Sequence, residues 1–140
     1  MKTTILFLCT GNSCRSQMAE GWLHQLGGER FEALSAGIEA HGLNPMAVQV
    51  MQECGVDISG QQSEIVTADM VKRADLLVAV CQHAEDHCPV AITAGHKQSW
   101  LFDDPARAEG SEDEVLDTFR RVRDEIRARI ETFVLASNVT

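Results

Sequence analysis

The chain has 140 residues, 44% of them hydrophobic and 24% charged, which predicts one globular domain over 1–140 and excludes disordered, collagen-like and coiled-coil chains. No apolar run approaches the ~20 residues that cross a bilayer and no signal peptide is evident, so we expect a cytoplasmic protein with no membrane partner. The net charge of −9 argues against binding to nucleic acid, which depends on Lys and Arg at the phosphates, so any anionic substrate must be held by local groups.

Hydrophobic periodicity predicts strands that alternate with helices. The apolar run 4–8 is typical of a strand buried on both faces, and apolar residues at helical spacing over 16–26 predict a helix that Gly27 and Gly28 end. The elements that follow are a strand at 33–37, a helix at 45–53 capped by Asn44, a short helix at 67–73, a buried strand at 76–80 and a long helix after a capping box at 111–114. The pattern indicates a parallel sheet of about four strands covered by helices, with functional groups at the carboxyl ends of strands.

Cysteine is the residue type that this chain offers for chemistry. Five cysteines in a chain without an export signal indicate reactive thiols rather than a disulfide scaffold, and their odd number agrees with that. Cys9 and Cys81 each follow a predicted buried strand, so we expect the sheet to deliver both thiols to a site. Cys14 and Cys54 are expected to pack without a catalytic role.

Residues 9–16, with the sequence Cys-Thr-Gly-Asn-Ser-Cys-Arg-Ser, join the first strand to its helix. A short loop entering a helix N-terminus turns backbone N–H groups inward, so a tetrahedral oxyanion can bind there, and Arg15 can add a bidentate clamp. The same field stabilises a thiolate, which makes Cys9 a nucleophile at neutral pH, with a hydroxyl donated by Ser13 or Ser16. The predicted anion-binding residues are Thr10, Gly11, Asn12, Ser13, Cys14, Arg15 and Ser16.

An alternative interpretation makes Cys9 a buried apolar thiol that closes a strand. The coincidence of a loop, a helix start and an arginine favours the nucleophile instead. A nucleotide site is excluded, because the loop matches neither G-x-x-x-x-G-K-[ST] nor G-x-G-x-x-G.

Residues 9–21 closely resemble the low-molecular-weight tyrosine phosphatase superfamily, and within it the thioredoxin-coupled arsenate reductases. The likeness runs through nearly the whole chain, with further matches at 35–37, 57–60, 100–105 and 121–126. The resemblance implies a flavodoxin-like three-layer fold, in which helices flank a four-stranded parallel sheet. It also implies an enzyme, expected as a monomer, that acts on arsenate, accepts phosphate or sulfate as analogues and takes electrons from thioredoxin.

The resemblance assigns roles to three residues of this chain. Cys9 attacks arsenate, Arg15 and the loop amides hold its oxygens, and Asp104 protonates the leaving oxygen. The residues themselves agree, because Asp104 lies on a predicted loop after an apolar stretch, where a partly desolvated carboxyl can donate a proton. A surface Asp-Pro turn is the alternative, and Asp103 is the reserve acid.

The second cysteine pair separates two activities. In the reductases a second cysteine attacks the first and a third captures the second, and these roles fall on Cys81 and Cys88. Thiol–disulfide exchange then carries the oxidation outward to thioredoxin. The alternative is a phosphatase that uses only Cys9, Arg15 and Asp104. Against it, both further thiols would be superfluous, and the chain has no tyrosine, whereas these phosphatases usually carry one after the Asp-Pro pair.

Spacing adds a constraint on the disulfide between Cys81 and Cys88. If the segment were helical, the two Cα atoms would be about 10 Å apart. A disulfide requires roughly 4.4–6.8 Å between Cα atoms. We therefore expect the segment to unwind when the bond forms.

Two metal hypotheses remain beside the relay. The first is a non-catalytic zinc- or arsenic-binding module, although the spacing lacks a second C-x-x-C or H-x3-H pair. Its ligands would be Cys81, His83, His87 and Cys88. The resemblance further implies, for some members, a potassium ion near the anion loop. Its ligands here would be Asn12, Glu20, Ser35 and Glu64, the last standing where the family has an aspartate.

Overall fold

The computed structural model describes residues 2–82 and 96–137. In these residues the strands are β1 (Thr3–Cys9), β2 (Phe31–Gly37), β3 (Leu76–Ala79) and β4 (Lys97–Ser99). The helices are α1 (Arg15–Gly27), α2 (Pro45–Gln52), α3 (Ala68–Arg73) and α4 (Glu112–Ser137), with short 3-10 turns at Gly28–Arg30 and Pro105–Arg107.

The strands form a parallel sheet in the order β2-β1-β3-β4. β1 lies in the interior of the sheet, and its residues Ile5, Leu6, Phe7 and Leu8 are fully buried, as expected for a strand covered on both faces. Helices α1, α2 and α4 pack against one another, and α1 and α3 contact β1. The predicted flavodoxin-like fold is confirmed. Its strand order reverses between β1 and β3, and ligands bind such sheets beyond the carboxyl ends of the strands at that point.

The predicted elements are confirmed to within two residues at their ends. β2 begins at Phe31, earlier than the pattern indicates, because Phe31 is buried and its ring lies 5.5 Å from that of Phe133 on α4. β4 is not marked by the sequence at all. Its residues are polar and exposed, so no apolar alternation identifies them, and pairing with β3 makes the segment a strand.

The amphipathic pattern of the last helix is also confirmed. Phe119, Val122, Ile126 and Ile130 are at most 1% exposed and lie on the face of α4 that packs against α1 and α2. The capping box forms as predicted, since the hydroxyl of the residue before α4 accepts from the Glu114 N–H at 3.2 Å. None of the helices within 2–82 and 96–137 is long and apolar enough to cross a bilayer.

Candidate active site

The loop 10–14 leaves the carboxyl end of β1 and is held in place by the segment that follows β2. The two run side by side with backbone hydrogen bonds of 2.8, 2.9 and 3.1 Å. In that order, the N–H group of Glu39 donates to the Thr10 carbonyl, that of His41 to the Gly11 carbonyl, and that of Asn44 to the Ser13 carbonyl. A second piece of backbone thus helps to set the shape of the predicted anion loop.

Two positions allow the loop to curve so closely against β2. Asn12 has a φ of 48°, in the left-handed region that asparagine tolerates better than most residues. A Cβ at Gly37 would collide with backbone atoms of Asn12, Thr10 and Glu39. Glycine is therefore required where the end of β2 passes the loop.

The predicted nucleophile lies at the base of the loop. Cys9 is 3% exposed, and its Sγ is 2.9 Å from Oγ of Ser16 in the first turn of α1. Asn12 Nδ2 donates to the same hydroxyl at 2.8 Å, so the hydroxyl accepts there and its hydrogen is available to Cys9. Of the two predicted hydroxyl donors, Ser16 contacts the thiol, whereas Ser13 accepts from Cys14.

The predicted clamp and acid meet at the mouth of the loop. Arg15 Nη2 lies 3.6 Å from Asp104 Oδ2, and its Nη1 donates to the Phe102 carbonyl at 3.1 Å. Asp104 caps the 3-10 turn by accepting from the Ala106 N–H at 3.0 Å. An oxyanion bound in the loop would compete with the Asp104 carboxylate for the Arg15 guanidinium. The anion and the Asp104 carboxyl would therefore lie close to each other.

The structure separates Asp104 from the reserve acid. Asp103 accepts from Arg121 on α4 at 3.1 Å, and its side chain is 75% exposed, against 30% for Asp104. The Asp103 carboxylate is thus paired with a surface arginine, and the carboxylate of Asp104 faces Arg15.

The second predicted thiol reaches the same site. The register pairs Leu8 of β1 with Ala79 of β3, which brings Cys81, two residues further on, beside Thr10. Thr10 Oγ1 and Cys81 Sγ are 3.2 Å apart, and Cys81 is 5% exposed. The carboxyl ends of two neighbouring parallel strands therefore bring the Cys9 and Cys81 thiols to the same end of the sheet, as the sequence predicts.

A cavity of about 800 Å³ opens over the loop. Sequence reasoning named most of its lining, including Cys9, Arg15, Cys81 and Asp104, but it missed His41 and Arg107. His41 has no motif of its own and reaches the cavity because its backbone pairs with Gly11. The signal for Arg107 was its position after the Asp-Pro pair, where the chain turns back toward the loop.

The two remaining described cysteines differ in position, since Cys14 lines the cavity with the rest of the loop and Cys54 does not. Burial raises the pKa of the Cys14 thiol to about 12, so it stays protonated although it belongs to the loop. Cys54 is half-buried against the core. Both positions agree with the expected packing roles.

Three of the four predicted potassium ligands, Glu20, Ser35 and Glu64, lie near one another. Ser35 donates to Glu20 at 2.6 Å, and burial, with the nearby carboxylate of Glu64, raises the pKa of Glu20. The side-chain oxygen of Asn12, however, already accepts from the Glu64 N–H at 2.8 Å and from Gln17. Asn12 therefore does not fit a set of four ligands in this conformation, and the potassium site stays a prediction.

Several predictions concern residues outside the described ranges. Cys88, His83 and His87 lie there, together with the expected unwinding between Cys81 and Cys88 and the zinc alternative. Within 2–82 and 96–137, no group of three or more His, Cys, Asp or Glu side chains is arranged to hold a metal ion.

The family model for low molecular weight phosphotyrosine protein phosphatases matches residues 4–139. Arsenate reductase from Bacillus subtilis (strain 168) is 55% identical over 129 residues, which cover 92% of this chain and 93% of the relative. Arsenate reductase from Halalkalibacterium halodurans is 54% identical over 132 residues, which cover 94% of this chain and 95% of the relative.

Solved structures resemble this chain along nearly its whole length. An arsenate reductase in the phosphate binding state has a TM-score of 0.79 at 32% identity, covering 97% of this chain and 98% of that one. The tyrosine phosphatase Wzb from Escherichia coli K30, in complex with sulphate, has a TM-score of 0.81 at 24% identity, and the match covers 97% of this chain and 99% of that one. The second likeness concerns the fold alone.

Proposed function

The chain belongs to the low-molecular-weight phosphotyrosine protein phosphatase family, and on that premise we propose that it reduces arsenate to arsenite in the cytoplasm, with thioredoxin as the reductant. The observation that carries the proposal is the contact of 3.2 Å between Cys81 and Thr10 of the anion loop. A hydrolytic phosphatase has no use for a second thiol at that point. Relatives at 54% and 55% identity that are named arsenate reductase support the substrate.

The first step is a displacement on arsenate bound in the loop. The backbone N–H groups and Arg15 hold its oxygens, with the positive end of the α1 dipole behind them. The Cys9 thiolate, stabilised by the Ser16 hydroxyl, attacks arsenic. A bond between sulfur and arsenic forms, a bond between arsenic and oxygen breaks, and Asp104 donates the proton with which that oxygen leaves as water.

The second step transfers two electrons to arsenic. The Cys81 thiolate attacks Sγ of Cys9, a disulfide forms, and the bond between sulfur and arsenic breaks with its electron pair remaining on arsenic. Pentavalent arsenic thereby becomes trivalent arsenite, and the two thiols supply the electrons. The placement of Cys81 at the carboxyl end of the neighbouring strand supports this step, because the attacking and attacked sulfur atoms share one cavity.

The third step regenerates the loop. Cys88 attacks Cys81, which releases Cys9 as a thiolate and leaves a disulfide between Cys81 and Cys88. Thioredoxin reduces that disulfide by the same exchange chemistry. Three thiols that act in order would thus carry the oxidation from buried Cys9 to the disulfide that thioredoxin reduces.

The second candidate is a tyrosine phosphatase, which the shared placement of Cys9, Arg15 and Asp104 around one cavity favours. Phosphate and arsenate have similar shape and charge, so slow hydrolysis of an aryl phosphate is compatible with both functions. The two functions differ in whether Cys81 and Cys88 are needed.

The deciding experiment follows arsenate-dependent NADPH oxidation with thioredoxin and thioredoxin reductase. We expect sustained turnover in the parent protein, a single cycle in Cys88→Ser, and unchanged turnover in the matched control Cys54→Ser. No turnover in any of the three, together with aryl phosphate hydrolysis that survives loss of both Cys81 and Cys88, would support the phosphatase and reject the reductase.

A further inference from the structure

A network of amide side chains, from half-buried Gln61 to buried Gln17 and Asn12, lies at the anion loop, and the reaction steps above do not use the two glutamines. Gln17 is fully buried on α1. Its Nε2 donates to the Asn12 carbonyl at 3.0 Å, to Asn12 Oδ1 at 3.2 Å and to the Gln62 carbonyl at 3.0 Å. Gln61 Nε2 in turn donates to Gln17 Oε1 at 2.8 Å and to the Gln17 carbonyl at 3.1 Å.

Backbone groups fix which end of each amide is nitrogen. The side-chain atom of Gln17 that faces two backbone carbonyls must be a donor, and so must the atom of Gln61 that faces the Gln17 carbonyl. The atom of Asn12 that faces the Glu64 N–H must be its oxygen. Each amide therefore has a defined orientation, although oxygen and nitrogen are alike in shape.

With these orientations, donation runs in one direction. Gln61 donates to Gln17, Gln17 donates to Asn12, and Asn12 donates to the Ser16 hydroxyl at 2.8 Å. Because Ser16 accepts from Asn12, the sulfur of Cys9 at 2.9 Å is the partner to which its own hydrogen is directed. A chain of four hydrogen bonds thus ends at the nucleophile.

The same bonds hold strained backbone. Asn12 has a positive φ of 48°, which an asparagine adopts at some cost in free energy. The Gln17 amide donates hydrogen bonds to both the backbone carbonyl and the side-chain oxygen of Asn12. Loss of the Gln17 amide would leave the Asn12 side-chain oxygen with the Glu64 N–H as its donor, so both the positive φ and the contact of Asn12 with Ser16 would be less firmly held.

We propose that Gln17 and Gln61 are positioning residues, whose paired amides hold Asn12 in its left-handed conformation and thereby direct the Ser16 hydroxyl toward Cys9. They touch neither the anion nor the reacting sulfur. The inference rests on the proposed role of Cys9 as the attacking thiolate, and it concerns how that thiolate is stabilised.

The test measures the pH dependence of alkylation of Cys9 by iodoacetamide, followed by mass spectrometry on the peptide that carries Cys9. Gln17→Met removes the donor with similar volume, and we expect the midpoint to rise by about one pH unit, because a hydrogen bond that supports a charged group is weakened. Gln61→Ala should raise it by roughly half as much. Gln62→Ala is the matched control, because the Gln62 side chain is exposed and the substitution keeps the backbone carbonyl that accepts from Gln17; it should leave the midpoint unchanged.

A double-mutant cycle separates positioning from general packing. If Gln17 acts through Ser16, then adding Gln17→Met to Ser16→Ala produces no further shift. Fully additive shifts, or unchanged midpoints in folded Gln17→Met and Gln61→Ala, would overturn the proposal. If Gln17→Met does not fold, Gln61→Ala alone decides, with its midpoint read in the same way. Alkylation needs neither arsenate nor Cys81, so loss of arsenate turnover cannot be mistaken for failure of this inference.

Discussion

The anion loop and the rim of the cavity are built in different ways. The loop 10–14 is held by backbone hydrogen bonds to the segment after β2 and by buried amides beneath it. At the rim, Asp104 and Cys81 contact the loop through side chains, at Arg15 and Thr10. Backbone contacts and buried amides therefore fix the loop, whereas the proposed acid and the proposed second thiol meet it through side-chain contacts that the proposed reaction would exchange. Substitutions in the two regions should accordingly fail in different ways.

The largest expected effect separates the two thiols. Cys9→Ser should lose both arsenate reduction and hydrolysis of p-nitrophenyl phosphate, because both need the nucleophile in the loop. Cys81→Ser should lose sustained arsenate turnover and keep the hydrolysis, measured on the same preparations. Loss of hydrolysis in folded Cys81→Ser would mean that Cys81 belongs to the loop chemistry, and the division between loop and rim would be wrong.

The next effect distinguishes the two neighbouring aspartates. Asp104→Asn should lower kcat for arsenate by about 10²–10⁴-fold, the range for loss of a general acid. Asp103→Asn breaks an exposed pair with Arg121 and should change kcat by no more than about fivefold, since such pairs contribute about 1 kcal/mol or less. Steady-state kinetics of both variants are the measurement, and equal losses would reject Asp104 as the acid.

A smaller effect tests how tightly the loop is enclosed. Gly37→Ala places a Cβ against backbone atoms of the loop and should lower the free energy of unfolding by roughly 1–3 kcal/mol. Gly60→Ala is the control, because nothing lies within 4 Å of the added carbon. Urea denaturation compares the two. Equal stability of both variants would show that the loop yields to the extra carbon.

The smallest effect concerns the half-buried carboxyl of Glu20 on α1. Burial raises the pKa of Glu20 above its ordinary value of 4.5, with a further contribution from Glu64. The folded state therefore holds the proton to higher pH than the unfolded state, and stability falls as pH rises from about 4.5 through the raised pKa. Glu20→Gln keeps an acceptor for Ser35 and should flatten this dependence, measured by thermal unfolding between pH 4 and 8. A profile as steep as that of the parent would contradict the assignment.

Several parts of the site were predictable from local sequence. The loop after β1, the start of α1 and the caps at Asn44 and in the Ser111 capping box follow from short-range rules, because each depends on residues within four positions of one another. The roles of Asp104 and Cys81 came from the family resemblance. Three features carried no such signal: the polar strand β4, the position of His41 beside the loop, and the pairing of Gln17 with Gln61. Each depends on a contact between segments that are distant in the sequence.

The amino-acid sequence by itself determined the alternation of strands and helices, the anion loop with its cysteine and arginine, and the presence of further thiols after a second buried strand. Only the tertiary structure decided that Cys81 meets Thr10, that Asp104 rather than Asp103 faces Arg15, and that Ser16 rather than Ser13 serves Cys9. The physical reason is that periodicity and capping are short-range properties of the chain. The register of β1 against β3 and the enclosure of the loop depend instead on packing between segments as many as 71 residues apart.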